Sequence, residues 1–159
     1  MKKNGKRFEE NFQKSCKEQG IFCYRLKDSG SSFQKADNLR FTSSNMCDYI
    51  TFNGSLLLNI ELKCHKGKSL PFDCIREKQN TMLIESSKYK NVVCGLLVNF
   101  SDVEECYFLN IIDYNVFLEN TDRKSIPLDY FKQKGINVKL ERKKVNFIYD
   151  VGGLFERIE

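Results

Sequence analysis

A single histidine, His65, stands in the 159-residue chain, and none of the seven cysteines falls in a Cys-x-x-Cys pair. The usual zinc ligand sets are therefore missing, and no zinc site is expected. Cys64 and His65 are neighbours, but consecutive strand residues point to opposite faces, which excludes a thiolate–imidazole pair. No run of 18 apolar residues occurs, so no membrane span is expected. The basic Met1-Lys2-Lys3-Asn4-Gly5 opening is not followed by an apolar segment, so it does not read as a secretory signal. A cytoplasmic location is the expectation. There is no internal repeat and no long low-complexity tract.

What is present fits one soluble globular domain, residues 1–159, with 41% hydrophobic and 30% charged residues. The cysteines at 16, 23, 47, 64, 74, 94 and 106 are odd in number and irregular in spacing, as for reduced thiols used mainly as small core residues. The net charge of +5 is mild, and a basic surface alone says little about a nucleic-acid partner. Its local clusters are Arg25, Lys27, Lys35 and Arg40 in one polar stretch, and Lys139, Arg142, Lys143 and Lys144 near the C-terminus.

Along the chain, the spacing predicts a helix over 5–19, closed by Gly20, with Phe8, Phe12 and Cys16 as its apolar stripe. Glu9 lies at the edge of that stripe and can look inward; Glu10 points to solvent. Residues 21–26 read as a short strand. The stretch 27–45 reads as a polar loop whose hydroxyls and cations suit contact with phosphates. Residues 71–88 read as a helix with Asp73 as N-cap, and Gln79 on the buried side with Ile75, Met82 and Leu83. There a satisfied core glutamine and a functional one are equally open. Val92–Val98 reads as a central strand, 105–109 as another, 111–117 as a short helix, and Ser125-Ile126-Pro127 as the start of a helix to about 134. Weaker strands are expected over 136–140 and 145–149. The order gives an α/β core with a mixed central sheet flanked by helices.

The chemistry concentrates at Asp48 and Ile60-Glu61-Leu62-Lys63. Between them Asn53-Gly54 separates two apolar runs, a strong hairpin signal. A two-residue loop would set Phe52 opposite Ser55 and Asp48 opposite Asn59. Asn59, Glu61 and Lys63 then share a face with Asp48, which lies diagonal to Glu61. Charges on a core strand are costly unless paired. A Mg²⁺ ion bridging Asp48 and Glu61, with Lys63 near the attacked phosphate, would satisfy them and supply the parts for cutting a phosphodiester.

Asp48 followed by Glu61-x-Lys63, with Glu9 and Gln79, resembles the restriction-endonuclease-like nuclease fold, although Met46-Cys47 replaces the proline that often precedes the aspartate. Within that fold the chain resembles Holliday junction resolvases of the RecU type, with phage versions included. Gly5-Lys6-Arg7-Phe8-Glu9, Cys47-Asp48-Tyr49, Ile60-Glu61-Leu62-Lys63, and Lys68-Ser69-Leu70-Pro71-Phe72 followed by Gln79 are similar to family segments in the same order. Cys106-Tyr107-Phe108-Leu109 and Arg123-Lys124-Ser125-Ile126 resemble later ones, so the likeness spans about 5–138. Archaeal junction resolvases look similar too, through Ser29-Gly30-Ser31 and Arg76-Glu77-Lys78-Gln79. The family's stalk is short here, about 27–45, and its basic N-terminal arm is nearly missing.

The resemblance implies a Mg²⁺- or Mn²⁺-dependent endonuclease that resolves four-way junctions by paired symmetrical nicks, acting as a homodimer in a bacterial or phage-infected cell. It implies that Asp48, Glu61 and the Leu62 carbonyl hold the metal, with Glu9 positioning a second metal or its waters. Lys63 would orient or deprotonate the attacking water, and Gln79 would orient Lys63 or that water. Arg25, Lys27, Ser29, Ser31, Lys35, Arg40, Lys66, Lys68 and Ser69 would hold the DNA backbone. Another restriction-like or branched-DNA nuclease is the rival enzyme, and a non-catalytic DNA-binding module is the rival of another class.

Overall fold

The computed structural model describes residues 2–27 and 45–159. In chain order the elements are α1 (Lys2–Glu18), β1 (Phe22–Arg25), β2 (Tyr49–Phe52), β3 (Leu57–His65), β4 (Ser69–Pro71), α2 (Glu77–Ser87), β5 (Val92–Phe100) and β6 (Glu105–Asn110). Then follow α3 (Ile111–Glu119), β7 (Ser125–Pro127), α4 (Leu128–Lys134), β8 (Ile136–Asn137), β9 (Leu140–Lys143), β10 (Asn146–Tyr149) and α5 (Val151–Ile158).

Among the described residues six strands form the central sheet, in the order β1-β2-β3-β5-β6-β8. The long strand β3 pairs antiparallel with β2 and parallel with β5, and β5 pairs antiparallel with β6, so the sheet is mixed as expected. The parallel step requires a crossover, which α2 supplies. Gly95 marks the middle of β5 because the β6 backbone and the Phe108 ring come too close to admit a methyl group there.

The central strands β3 and β5 are buried on both faces of the sheet. On one side Phe8, Phe12 and Cys16 of α1 and Leu154 and Phe155 of α5 pack against Leu58, Ile60 and Leu62 of β3. On the other, Leu83 of α2, Ile111 of α3 and Phe131 of α4 pack against Leu96, Val98 and Phe100 of β5. Both faces exclude water from large apolar area, the main source of the fold's stability. All seven cysteines are free thiols. Cys16, Cys47, Cys94 and Cys106 are buried and the other three half-buried, in keeping with their reading as core residues.

Several element boundaries differ from the sequence expectation. The 53–56 connection is longer than a two-residue turn, with Gly54 at φ +108°. The Asn53 side-chain oxygen accepts from the backbone of Ser55 and Leu56, at 3.0 and 2.9 Å. This Asx geometry outcompetes the tight turn. Residues 72–74 form a short 3₁₀ turn, and α2 begins only at Glu77. Asp73 caps nothing, since Arg76 occupies the N-cap. Ser125-Ile126-Pro127 is a strand paired with β4, and the helix starts after it, at Leu128. The expected strand 136–140 is divided between β8 and β9. The last helix, α5, has no counterpart among the expected elements; Asp150 caps it by accepting from Gly153 at 3.0 Å.

Candidate active site

In β3, even-numbered residues face α1 and α5, while Asn59, Glu61 and Lys63 face the α2 side. The actual register sets Phe52 opposite Leu57 and Tyr49 opposite Ile60. Continued one step, it brings Asp48 directly opposite Glu61 rather than opposite Asn59. The expected register was thus two residues off. A two-residue slip keeps every side chain on its face, so the expected grouping survives and the carboxylates come closer than the diagonal placement implied.

The β2–β3 ladder ends at Tyr49 and Ile60. Beyond it the Asp48 carboxylate accepts from the Leu62 backbone N–H at 2.8 Å, standing in for a strand carbonyl. The Asp48 backbone carbonyl accepts from Leu26 at 2.9 Å. Asp48 is thereby tied to β1 and β3 at once. This role of the Leu62 N–H is not legible in the sequence, because a backbone donor leaves no trace in residue identity.

Glu61 is 2% exposed. Lys63 Nζ donates to its Oε1 at 2.7 Å, and Gln79 Nε2 donates to its Oε2 at 3.0 Å. Burial is the main cause that raises the Glu61 pKa above its ordinary value, and the Asp48 charge adds to it; the Lys63 and Gln79 contacts oppose the rise. Gln79 sits at the third position of α2, where its side-chain oxygen also accepts from the Arg76 backbone, at 3.5 Å. One end of Gln79 therefore anchors to the helix start and the other reaches the carboxylate, which joins the structural and functional readings left open for it. Just below Glu61 on the same face, the buried Asn59 Oδ1 has no hydrogen-bond partner among the described residues.

Glu9 does look inward from α1, and Arg25 of β1 pairs with it at 2.5 Å. Glu10 is exposed beside Lys6, as expected. Among the described residues no three acidic, cysteine or histidine side chains converge as a metal-binding group. Arg25 closes a strand rather than lying in a loop. Lys27, Lys66 and Lys68 are exposed, whereas the Ser69 hydroxyl donates to Ser125 across the β4–β7 pair. Ser29, Ser31, Lys35, Arg40 and most of the 27–45 loop lie outside the described residues.

The donor set fits a hard divalent cation. Two carboxylates face each other across a strand pair, one buried with a raised proton affinity, and a cation between them would relieve the repulsion. An ion there would share or displace the Lys63 and Gln79 contacts to Glu61.

Known proteins resemble the chain in sequence and in fold. The profile of the family described as recombination protein U matches residues 8–151. The SPbeta prophage-derived uncharacterized protein YotM of Bacillus subtilis is 32% identical over 160 residues, covering 91% of this chain and 81% of that protein. Among solved structures, Hjc of Archaeoglobus fulgidus, a Holliday junction resolvase from an archaeal hyperthermophile, superposes with a TM-score of 0.59. It is 18% identical, with 84% of this chain and 95% of that chain covered, which shows a shared restriction-endonuclease-like fold.

Proposed function

The chain belongs to the recombination protein U family, and from that premise we propose that it is a Holliday junction resolvase, an endonuclease acting on branched DNA. The observation that carries the reading is the pairing of Asp48 with Glu61 across the β2–β3 edge, with Lys63 and Gln79 on the two oxygens of Glu61. A non-catalytic DNA-binding module would have no use for a buried carboxylate so arranged, because its desolvation is a standing cost.

Asp48, Glu61 and the Leu62 carbonyl are the groups to hold Mg²⁺ or Mn²⁺. Such an ion would polarise the scissile phosphate and lower the pKa of a bound water. The chain's own residues do the rest. The Leu62 N–H fixes the Asp48 carboxylate on the face it shares with Glu61. Lys63, a quarter exposed, can swing from Glu61 toward solvent, where its ammonium orients the attacking water and offsets charge on the phosphate. Gln79 keeps Glu61 aligned during that swing. Arg25 and Glu9 brace the start of β2 from α1, and Lys27, Lys66 and Lys68 are the exposed cations that hold the DNA backbone.

Matched nicks on opposite strands call for two such sites related by a two-fold axis, so the working form is a homodimer. The test is cleavage of a labelled mobile four-way junction against linear duplex and a splayed arm, with and without Mg²⁺. Paired symmetrical nicks in the junction alone are expected. Equal cutting of all three substrates would make the protein a broader nuclease of this fold.

A further inference from the structure

A cavity of about 290 Å³ opens on the sheet face away from Asp48 and Glu61, between α1 and the β9–β10 hairpin. Asn4, Arg7 and Asn11 of α1 form one wall, and Arg142 and Phe147 of the hairpin form another. Asn11 is 6% exposed, and its side-chain amide has no hydrogen-bond partner among the described residues. Asn59 Oδ1 is the buried unpaired side-chain atom among the described residues, so the Asn11 amide is not cut off from solvent; it faces the cavity and is open to a partner there. Tyr149 lies on the floor, 1% exposed; its hydroxyl accepts from Asn99 at 3.2 Å, and its own hydrogen has no acceptor among the described residues. Arg142 stands 5.8 Å from the centre of the Phe147 ring and 3.4 Å from Glu104 on the rim. With Arg7, the wall carries one more cation than anions. Leu140 and Val145 extend the apolar side next to Phe147.

An apolar aromatic wall, an unpaired amide and two guanidiniums match the three parts of a nucleotide: a base with a flat face, a base edge, and a phosphate. The volume suits one unit at the lower end of small-ligand sites. We propose that this cavity binds a nucleotide, with the phosphate on Arg7 and Arg142 and the base between Phe147 and the Asn11 amide. The favoured source is an unpaired nucleotide of the DNA strand. Lys139 and Lys144 are exposed beside the opening and would track the flanking phosphates, while Lys143 pairs with Glu141 at 3.9 Å. Lys63 and Cys64 are consecutive on β3, so the carboxylate site and the cavity sit at the same end of one strand on its two faces. A strand leaving the first site can reach the second around that end of the sheet. The inference goes beyond the nuclease reading and adds a second contact for the same substrate class.

The test uses the full chain without divalent ions, so that cutting plays no part. A short base-fluorescent single-stranded oligonucleotide and free deoxyadenosine monophosphate are titrated separately into wild type, Arg7→Ala, Asn11→Leu and Lys143→Ala. Oligonucleotide affinity should fall at least about tenfold, or ~1.4 kcal/mol, in Arg7→Ala and Asn11→Leu, but little in Lys143→Ala. The Tm of Asn11→Leu should not fall, since no existing bond is lost. Saturable binding of the mononucleotide with the same variant pattern would support the cavity and assign it to free nucleotide. Equal weakening by all three substitutions, or no binding of either probe, would overturn the proposal. Junction cleavage is read on the same preparations with Mg²⁺ added. Its absence alongside intact nucleotide binding would count against the nuclease reading and leave the cavity standing.

Discussion

The two faces of β3 are equally dry and chemically opposite. On one, Leu58, Ile60 and Leu62 lie in an apolar cluster with residues of α1 and α5. On the other, Asn59 and Glu61 are 3% and 2% exposed, and Glu61 is held by Lys63 and Gln79. Since exposure is the same on both, burial does not tell a core residue from a working one here. What separates them is whether the buried group needs a partner. The apolar face is satisfied by packing alone. The polar face has one carboxylate with its donors, an amide oxygen at Asn59 with no partner among the described residues, and a second carboxylate placed opposite. Strand β5 supplies the control, since Leu96 and Val98 on one face and Leu97 on the other are all apolar.

Substitutions on the two faces should therefore fail in different ways. The largest effect is expected for Asp48→Asn or Glu61→Ala, which should lower junction cleavage by about a thousandfold or more while the fold and junction binding persist. Cleavage rates under single-turnover conditions would show it, and a loss under about tenfold would break the contrast between the faces. Next, Ile60→Ala on the apolar face should cost about 2–5 kcal/mol of stability, read by urea unfolding, with normal cleavage by the folded fraction. Gln79→Ala should lower cleavage by roughly 10–100-fold with little change in Tm. A purely structural glutamine would do the reverse.

The smallest effect sharpens the comparison through pH. Burial and the Asp48 charge raise the Glu61 pKa above 4.5, the ordinary value that the unfolded chain keeps. Between 4.5 and the raised folded value, the folded state holds the extra proton. The stability of the ion-free protein should therefore fall as pH rises through that window. A divalent ion needs the carboxylate, so the Tm gain from added Mn²⁺ should grow over the same window and be lost in Asp48→Asn. A gain independent of pH would remove Glu61 from the ligand set.

Much of this arrangement was legible in the residues, and the omissions have physical causes. The α1 stripe, the central β5 strand and the shared face of Asp48, Glu61 and Lys63 follow from side-chain periodicity, which depends only on local geometry. The register did not follow, because the Asn53 side chain rewrites the turn with bonds that a dipeptide signal does not carry. Helix α2 began later than expected because β7 captures Ser69–Pro71 as a strand, a long-range pairing invisible to local spacing. The role of Gln79 needed three dimensions, since its two ends answer to Arg76 and to Glu61. Asn11 and Tyr149 gave no signal at all, because a cavity forms only where α1 and the hairpin fail to close on each other.

The register of the β2–β3 hairpin also bears on how this site tolerates insertions and deletions. A connection that grows or shrinks by two residues slides Asp48 along β3 yet leaves it on the side of Glu61 and Lys63. A change of one residue would turn the aspartate toward the phenylalanines of α1 and strand the buried glutamate without its counterpart. Descent among such nucleases should therefore preserve the parity of this loop more strictly than its length, and a library of loop variants should recover activity in alternate lengths only.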